Sequence, residues 1–208
     1  MEMQLRFATD LSPEKYVQEK AWKSARIDQC PLHPNGGCGF SRNGTYSRIN
    51  PEGTKIARWY CPTGRTTFSM LPDCLASRLS GSLDEVEAVI VEVENAPSQE
   101  AAADRLRIDI ELPGILRWVR RRILPVRVAL TKLTKLLPSL FSGCTPTILS
   151  FRSVLYVDHI LIDLRVHARL HLHVLPPPIG FGPHPEPRKS QKNHFQQEMG
   201  PDPPIYKL

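Results

Sequence analysis

Apolar residues recur at helical spacing in the middle of the chain. Leu83, Val86, Val89, Ile90 and Val93 share one side of a 3.6-residue period, Ser82 precedes them as a cap, and acidic residues fill the first turns. The pattern predicts a helix over 83–96 that "APS" ends. Ser98 is placed to cap a second helix, "QEAAADRL", and after the connector "RIDIE" a third, "ILRWVRRRIL", opens with Pro113 near its first position. Pro125 is expected to end that helix, and "VRVALTKLTKLL" beyond it reads as a fourth, amphipathic one.

Upstream the period changes. "SPEKYVQEKAWKSAR", residues 12–26, has a Ser followed by Pro at the first helical position and predicts a short polar helix. "GTYSRI" and "KIARWYC" are rich in β-branched and aromatic residues and flank the turn-forming "NPEG", so they predict a β-hairpin that carries Cys61 to the end of its second strand. "TTFSMLPDCLASRL" reads as the lead into the helical region. From Leu164 the chain alternates, with Arg165, His167, Arg169, His171 and His173 on one face and Val166, Ala168, Leu170, Leu172 and Val174 on the other, which predicts a strand. The remainder is rich in proline and polar residues and is expected to be disordered.

These elements make an α+β chain: an N-terminal helix or arm over 1–27, a small β-hairpin module over 28–75, a helical module over 82–140, and a weakly structured proline-rich tail over 141–208. The longest apolar stretch is interrupted by Arg127, Lys132, Lys135 and prolines, so no membrane span is expected. The N-terminus lacks the basic-then-apolar order of a secretory signal, and a cytoplasmic protein is expected.

Charge changes the picture. The formal net charge of +6 conceals a segregation: residues 82–112 carry two basic and nine acidic side chains, whereas residues 113–138 carry seven basic and no acidic ones. Arg117, Arg120 and Arg121 stand at i, i+3 and i+4 on one helix face with Arg122 beside them, while Ile115, Trp118, Val119 and Ile123 fall largely on the other. An apolar anchoring face opposite an arginine face is what a DNA recognition helix requires. Arg42, Arg48 and Arg58 on the hairpin are candidates for phosphate contacts. The competing readings are a cationic face that balances the acidic helix and a membrane-surface helix.

The five cysteines suggest chemistry of another kind. Cys30, His33 and Cys38 lie within nine positions, and Gly36, Gly37 and Gly39 let the chain turn back; Cys61 arrives across the hairpin. Together they form a Cys3His set suited to a closed, structural Zn2+ site, with Cys74 as the substitute if His33 is not a ligand. Ordinary burial of small thiols is the alternative.

"RWYCPTGRTTFSMLPDCLASRL" resembles the "Y-x-C-x-x-C-x-x-T-F-S-x-L-P" element of zinc-ribbon segments in bacterial proteins related to, or carried by, insertion-sequence transposases. Tyr60, Cys61, Thr67, Phe68, Ser69, Leu71 and Pro72 stand where that pattern asks, over a match spanning roughly 28–125. Gly64 stands in place of the second knuckle cysteine, and His33 with Cys38 in place of a plain first C-x2-C. The resemblance implies a zinc ribbon followed by a helix-turn-helix, and a DNA-binding protein of a mobile element or of transcription, with DNA and a transposase or a second copy as partners. A protein-interaction adaptor or a decayed transposase relative is the alternative. The five-residue connector is longer than a standard helix-turn-helix turn. Asp158 and Asp163, the alternating histidines, Ser69 and Ser98 complete no catalytic constellation, and no phosphate-binding loop is present.

Overall fold

The computed structural model describes residues 2–106 and 114–182. They form four strands and seven α-helices, an α+β arrangement. Strand β1 (Glu2–Phe7) leads into α1 (Pro13–Gln18), whose N-cap is the expected Ser12, and a 3-10 turn over Ala21–Lys23 follows. The predicted hairpin forms from β2 (Ser41–Ser47) and β3 (Lys55–Cys61), which are antiparallel. β4 (Thr66–Pro72) then returns antiparallel to β3, where the sequence offered only a lead into helices.

The sheet order is β1-β4-β3-β2, and β1 lies parallel to β4 with Glu2 opposite Thr67 and Phe7 opposite Pro72. Neither β1 nor β4 was expected. β4 carries Thr66, Phe68, Ser69, Met70 and Leu71, all buried, so both of its faces are covered and the alternation that marks a half-exposed strand is lost.

The helical part begins with α2 (Leu83–Asn95), where Ser82 and Glu85 form a reciprocal capping box and the five apolar positions read from the sequence are all buried. α3 (Gln99–Leu106) follows, its Ala101 N–H bonded to Ser98 Oγ at 3.1 Å. α4 (Ile115–Leu136) is one continuous helix of 22 residues and not the expected pair. Pro125 lies inside it, buried; it removes one N–H from the helical ladder, but the apolar stripe Val119, Ile123, Val126, Ala129, Leu130 and Leu133 continues across it and burial outweighs the lost bond. The expected connector "RIDIE" lies outside the described residues.

The chain beyond 141 is also different from the expectation. α5 (Pro138–Phe141), α6 (Ile148–Leu155) and α7 (Ile160–His167) contribute Phe141, Phe151, Ile160, Leu161 and Leu164 to the same core as α2 and α4. The expected strand from Leu164 does not form: α7 runs to His167, and turns follow it. Its alternation is a coincidence of arginines and histidines with leucines and valines, and its start overlaps a helix whose buried residues are Ile160, Leu161, Leu164 and Arg165. Leu172, Leu175 and Ile179 fold back into the core, so structure extends to 182; residues 183–208 lie outside the described part.

Two devices join the halves. Ile56, Leu71, Cys74 and Leu75 form a small cluster that meets Ile162 and Phe181. Beside it, the fully buried Arg165 donates to five backbone carbonyls: Pro72 at the end of β4, Asp73 and Leu75 just after it, and Pro178 and Ile179 in the last described loop. Burial lowers its pKa to about 10, so it stays charged at neutral pH.

Candidate functional site

Cys30, His33, Cys38 and Cys61 come together. Their potential ligand atoms all lie within 4.8 Å of one another, and the three thiols are buried. Local turns make the first edge: His33 N–H bonds to Cys30 O at 3.1 Å and Gly36 N–H to His33 O at 3.0 Å. Gly36, Gly37 and Gly39 all have positive φ, which lets the chain bring Cys38 back beside Cys30. The sheet supplies the other side, because Cys61 closes β3 and the turn Pro62–Arg65 brings the Gly64 N–H to 3.2 Å from Cys61 Sγ.

The donor set fits a tetrahedral metal. Zinc bonds to sulfur at about 2.3 Å and to imidazole nitrogen at about 2.0–2.1 Å, which gives a tetrahedron edges of about 3.5–3.8 Å. His33 Nδ1 stands 3.6 Å from Cys30 Sγ and 3.3 Å from Cys61 Sγ. Desolvation opposes ionisation of Cys30, but hydrogen bonds from the His33 side chain and from backbone N–H groups outweigh it and bring the thiol down to about 6; burial pushes the Cys61 thiol up. Phe68, Phe40 and Trp59 wall the cluster, with Phe40 stacked on Trp59 at 5.4 Å and edge-on to Phe68 at 5.8 Å.

Gly64 packs closely against the turn that carries Leu32 and His33. A Cβ built at 64 would meet Leu32 Cδ1 at 2.6 Å, closer than a Cβ can come unless that side chain shifts, and would lie in ordinary contact with Cys61 Sγ at 3.4 Å and His33 Cε1 at 3.6 Å, so a side chain there would press on Leu32 beside the ligand group. His33 supplies the fourth potential ligand atom from the opposite turn. Cys74 is not its substitute: it lies in the cluster of Ile56, Leu71 and Leu75, outside the metal-ligand group, and burial pushes its thiol up to about 12.

The arginines divide into two groups. Arg42 donates to the carbonyls of Trp22 and Lys23 at 2.6 and 3.0 Å, and Arg48 to those of Ala76 and Leu79, so both hold loops. Arg58 is half-buried, with its Nε unpartnered. On α4, Arg117, Arg120 and Arg121 are exposed, while Arg122 lies over the Trp118 ring at 3.6 Å. Arg117 and Arg121 have no ion-pair partner among the described residues; Arg120 stands 4.0 Å from Glu100 and 3.4 Å from Gln99.

The acidic residues of α2 do not neutralise that face. Glu87 accepts from the N–H groups of Ile160 and Leu161 at the start of α7 and from Arg152 at 2.8 Å. Glu94 accepts from Ile148 and Leu149 N–H at the start of α6, Asp84 pairs with His159 at 3.0 Å, and Glu92 pairs with Arg105. These two helix-start carboxylates, two turns apart on α2, were not identified from the sequence. Their only signal was acidic residues at seven-residue spacing, which carries no information about which helix they meet.

No helix among the described residues is long and apolar enough to cross a membrane. Compared with protein-family models, curated proteins and solved structures, the chain matches none.

Proposed function

We propose that the chain is a DNA-binding protein in which Cys30, His33, Cys38 and Cys61 hold a structural Zn2+ and the N-terminal half of α4 contacts the duplex. The observation that carries this reading is the exposed face of Arg117, Arg120 and Arg121 on a helix whose opposite side is buried, on which, among the described residues, Arg120 alone reaches a carboxylate, Glu100 at 4.0 Å. The acidic helix that would balance it spends its carboxylates on α6, α7 and α3. Guanidinium groups so placed suit phosphate oxygens and guanine edges. Four ligands from the protein close the metal's coordination, so its role is to fix the loop 30–40 against the end of β3 and it supplies no open position for catalysis. Association with a mobile element and its transposase rests on the resemblance of residues 60–72 alone.

Fluorescence anisotropy with a short labelled duplex across a salt series tests the reading. Each phosphate contact contributes a slope of about 0.9 in log K against log salt, so replacing Arg117, Arg120 and Arg121 together by Ala is expected to reduce the slope by about 2 to 3. Unchanged affinity and slope would remove α4 as the interface.

A further inference from the structure

The outer edge of β1 is open and lies in a groove. β1 is hydrogen-bonded to β4 on one side, and no backbone group among the described residues pairs with its other side. A cavity of about 520 Å³ runs along that side, and residues 2–6 line it consecutively. Because neighbouring side chains of a strand point to opposite faces, a cavity that touches five residues in succession follows the backbone edge itself. Leu172 and Phe181 form the opposite wall, and Arg78, Arg169 and His173 lie along the rim. A second cavity of about 550 Å³ continues past Glu2 and Gln4 to Tyr46 and Arg58.

The two edges of the sheet are treated differently. β2 has a register shift between Arg42 and Thr45, a distortion that discourages pairing with another strand. β1 has an unbroken register over six residues and contains neither proline nor lysine. Its own cation, Arg6, is held by both carboxylate oxygens of Asp73 at 2.7 Å. Arg78 and Arg169 are exposed and have no side-chain partner among the described residues, and Arg58 keeps an unpartnered Nε.

We infer that the β1 edge is a docking site for an extended acidic peptide segment of a partner protein, which adds to the sheet as a fifth strand beside β1. The open backbone edge supplies main-chain hydrogen bonds, and the basic rim selects acidic side chains. At about 3.3 Å per residue, six residues of β1 accommodate a segment of five or six. The inference is independent of DNA binding by α4, which faces other residues.

Panning a phage library of random dodecapeptides against the full, metal-loaded chain tests it. Enrichment of acidic peptides with alternating apolar residues is expected. A synthetic copy of an enriched peptide is expected to lose at least about tenfold in affinity for the Arg78→Glu/Arg169→Glu chain, and as much when alternate backbone amides are N-methylated, since methylation removes the ladder donors. Both arginines are exposed, so the double variant folds; circular dichroism checks this. No enrichment, or peptides indifferent to both changes, would overturn the proposal. So would single-stranded oligothymidylate binding that depends on Arg78 and Arg169 where acidic peptides do not bind, or dimerisation of the chain through β1.

Discussion

His33 and Gly64 lie against each other at the ligand group. One turn lacks the cysteine that a two-knuckle site would have, and the other contributes an imidazole whose Cε1 lies 3.6 Å from where a Cβ at 64 would stand. Replacing His33 by Ala is therefore expected to abolish stoichiometric metal binding, measured by native mass spectrometry. The combined change His33→Ala, Gly64→Cys and Leu32→Ala is expected to restore it, because the thiol at 64 lies beside Cys61 where the imidazole edge stood and the truncated residue 32 makes room for its Cβ. Failure of this variant to bind metal, with the wild type binding one ion per chain, would show that position 64 cannot replace the imidazole. The three thiols and the histidine were legible in the sequence because the glycines and the short spacing are local. The demotion of Cys74 was not legible, since that required knowing which cluster β4 delivers it to.

At the scale of elements, α2 is a hub. Helix N-termini leave N–H groups unpaired and carry a partial positive charge, and Glu87 and Glu94 satisfy those of α7 and α6 from outside. Changing Glu87 or Glu94 to Gln removes the charge and is expected to cost about 1 to 2 kcal/mol each in urea unfolding. Faster amide exchange at Ile160 and Leu161 is expected for the first variant, and at Ile148 and Leu149 for the second. Exchange unchanged at both helix starts would mean that the caps contribute nothing. Sequence periodicity located α2 and α3 well because caps and apolar spacing are short-range. A proline's local cost predicts a break at Pro125, and the core that α4 crosses overrides it.

For the whole molecule, the question is what holds sheet to helices. Arg165 bonds carbonyls on both sides of the junction, and at the same loop Gly180 has no room for a Cβ against the Leu175 carbonyl. Arg165→Met leaves five carbonyls without their buried donor and is expected to destabilise the protein by at least about 3 kcal/mol in urea unfolding. Arg165→Lys is expected to recover little, since a single ammonium cannot span the same five acceptors. The lobe of Cys30, His33, Cys38 and Cys61 belongs to a different cluster from the helical core. Chelation is therefore expected to raise amide exchange first over residues 30–40 and 61–66 while α2 and α4 stay protected, as read by exchange mass spectrometry. Simultaneous loss of protection throughout would show that the lobe and the core unfold as one.

The sequence by itself determined the α+β class, the hairpin, the caps of α1, α2 and α3, the Cys3His group and the basic face of α4. All of these depend on residues within a few turns of one another, or on ligand types that identify themselves. Tertiary structure alone decided the parallel pairing of β1 with β4, the continuity of α4, the fold of residues 142–182, and the division of the arginines into loop tethers, a buried junction and an exposed face. Those outcomes depend on which surfaces meet across separations of sixty residues and more, as in Glu2 opposite Thr67 and Arg165 on the carbonyl of Pro72. Burial and hydrogen-bond satisfaction at such contacts override local propensity, and no short stretch of sequence encodes them.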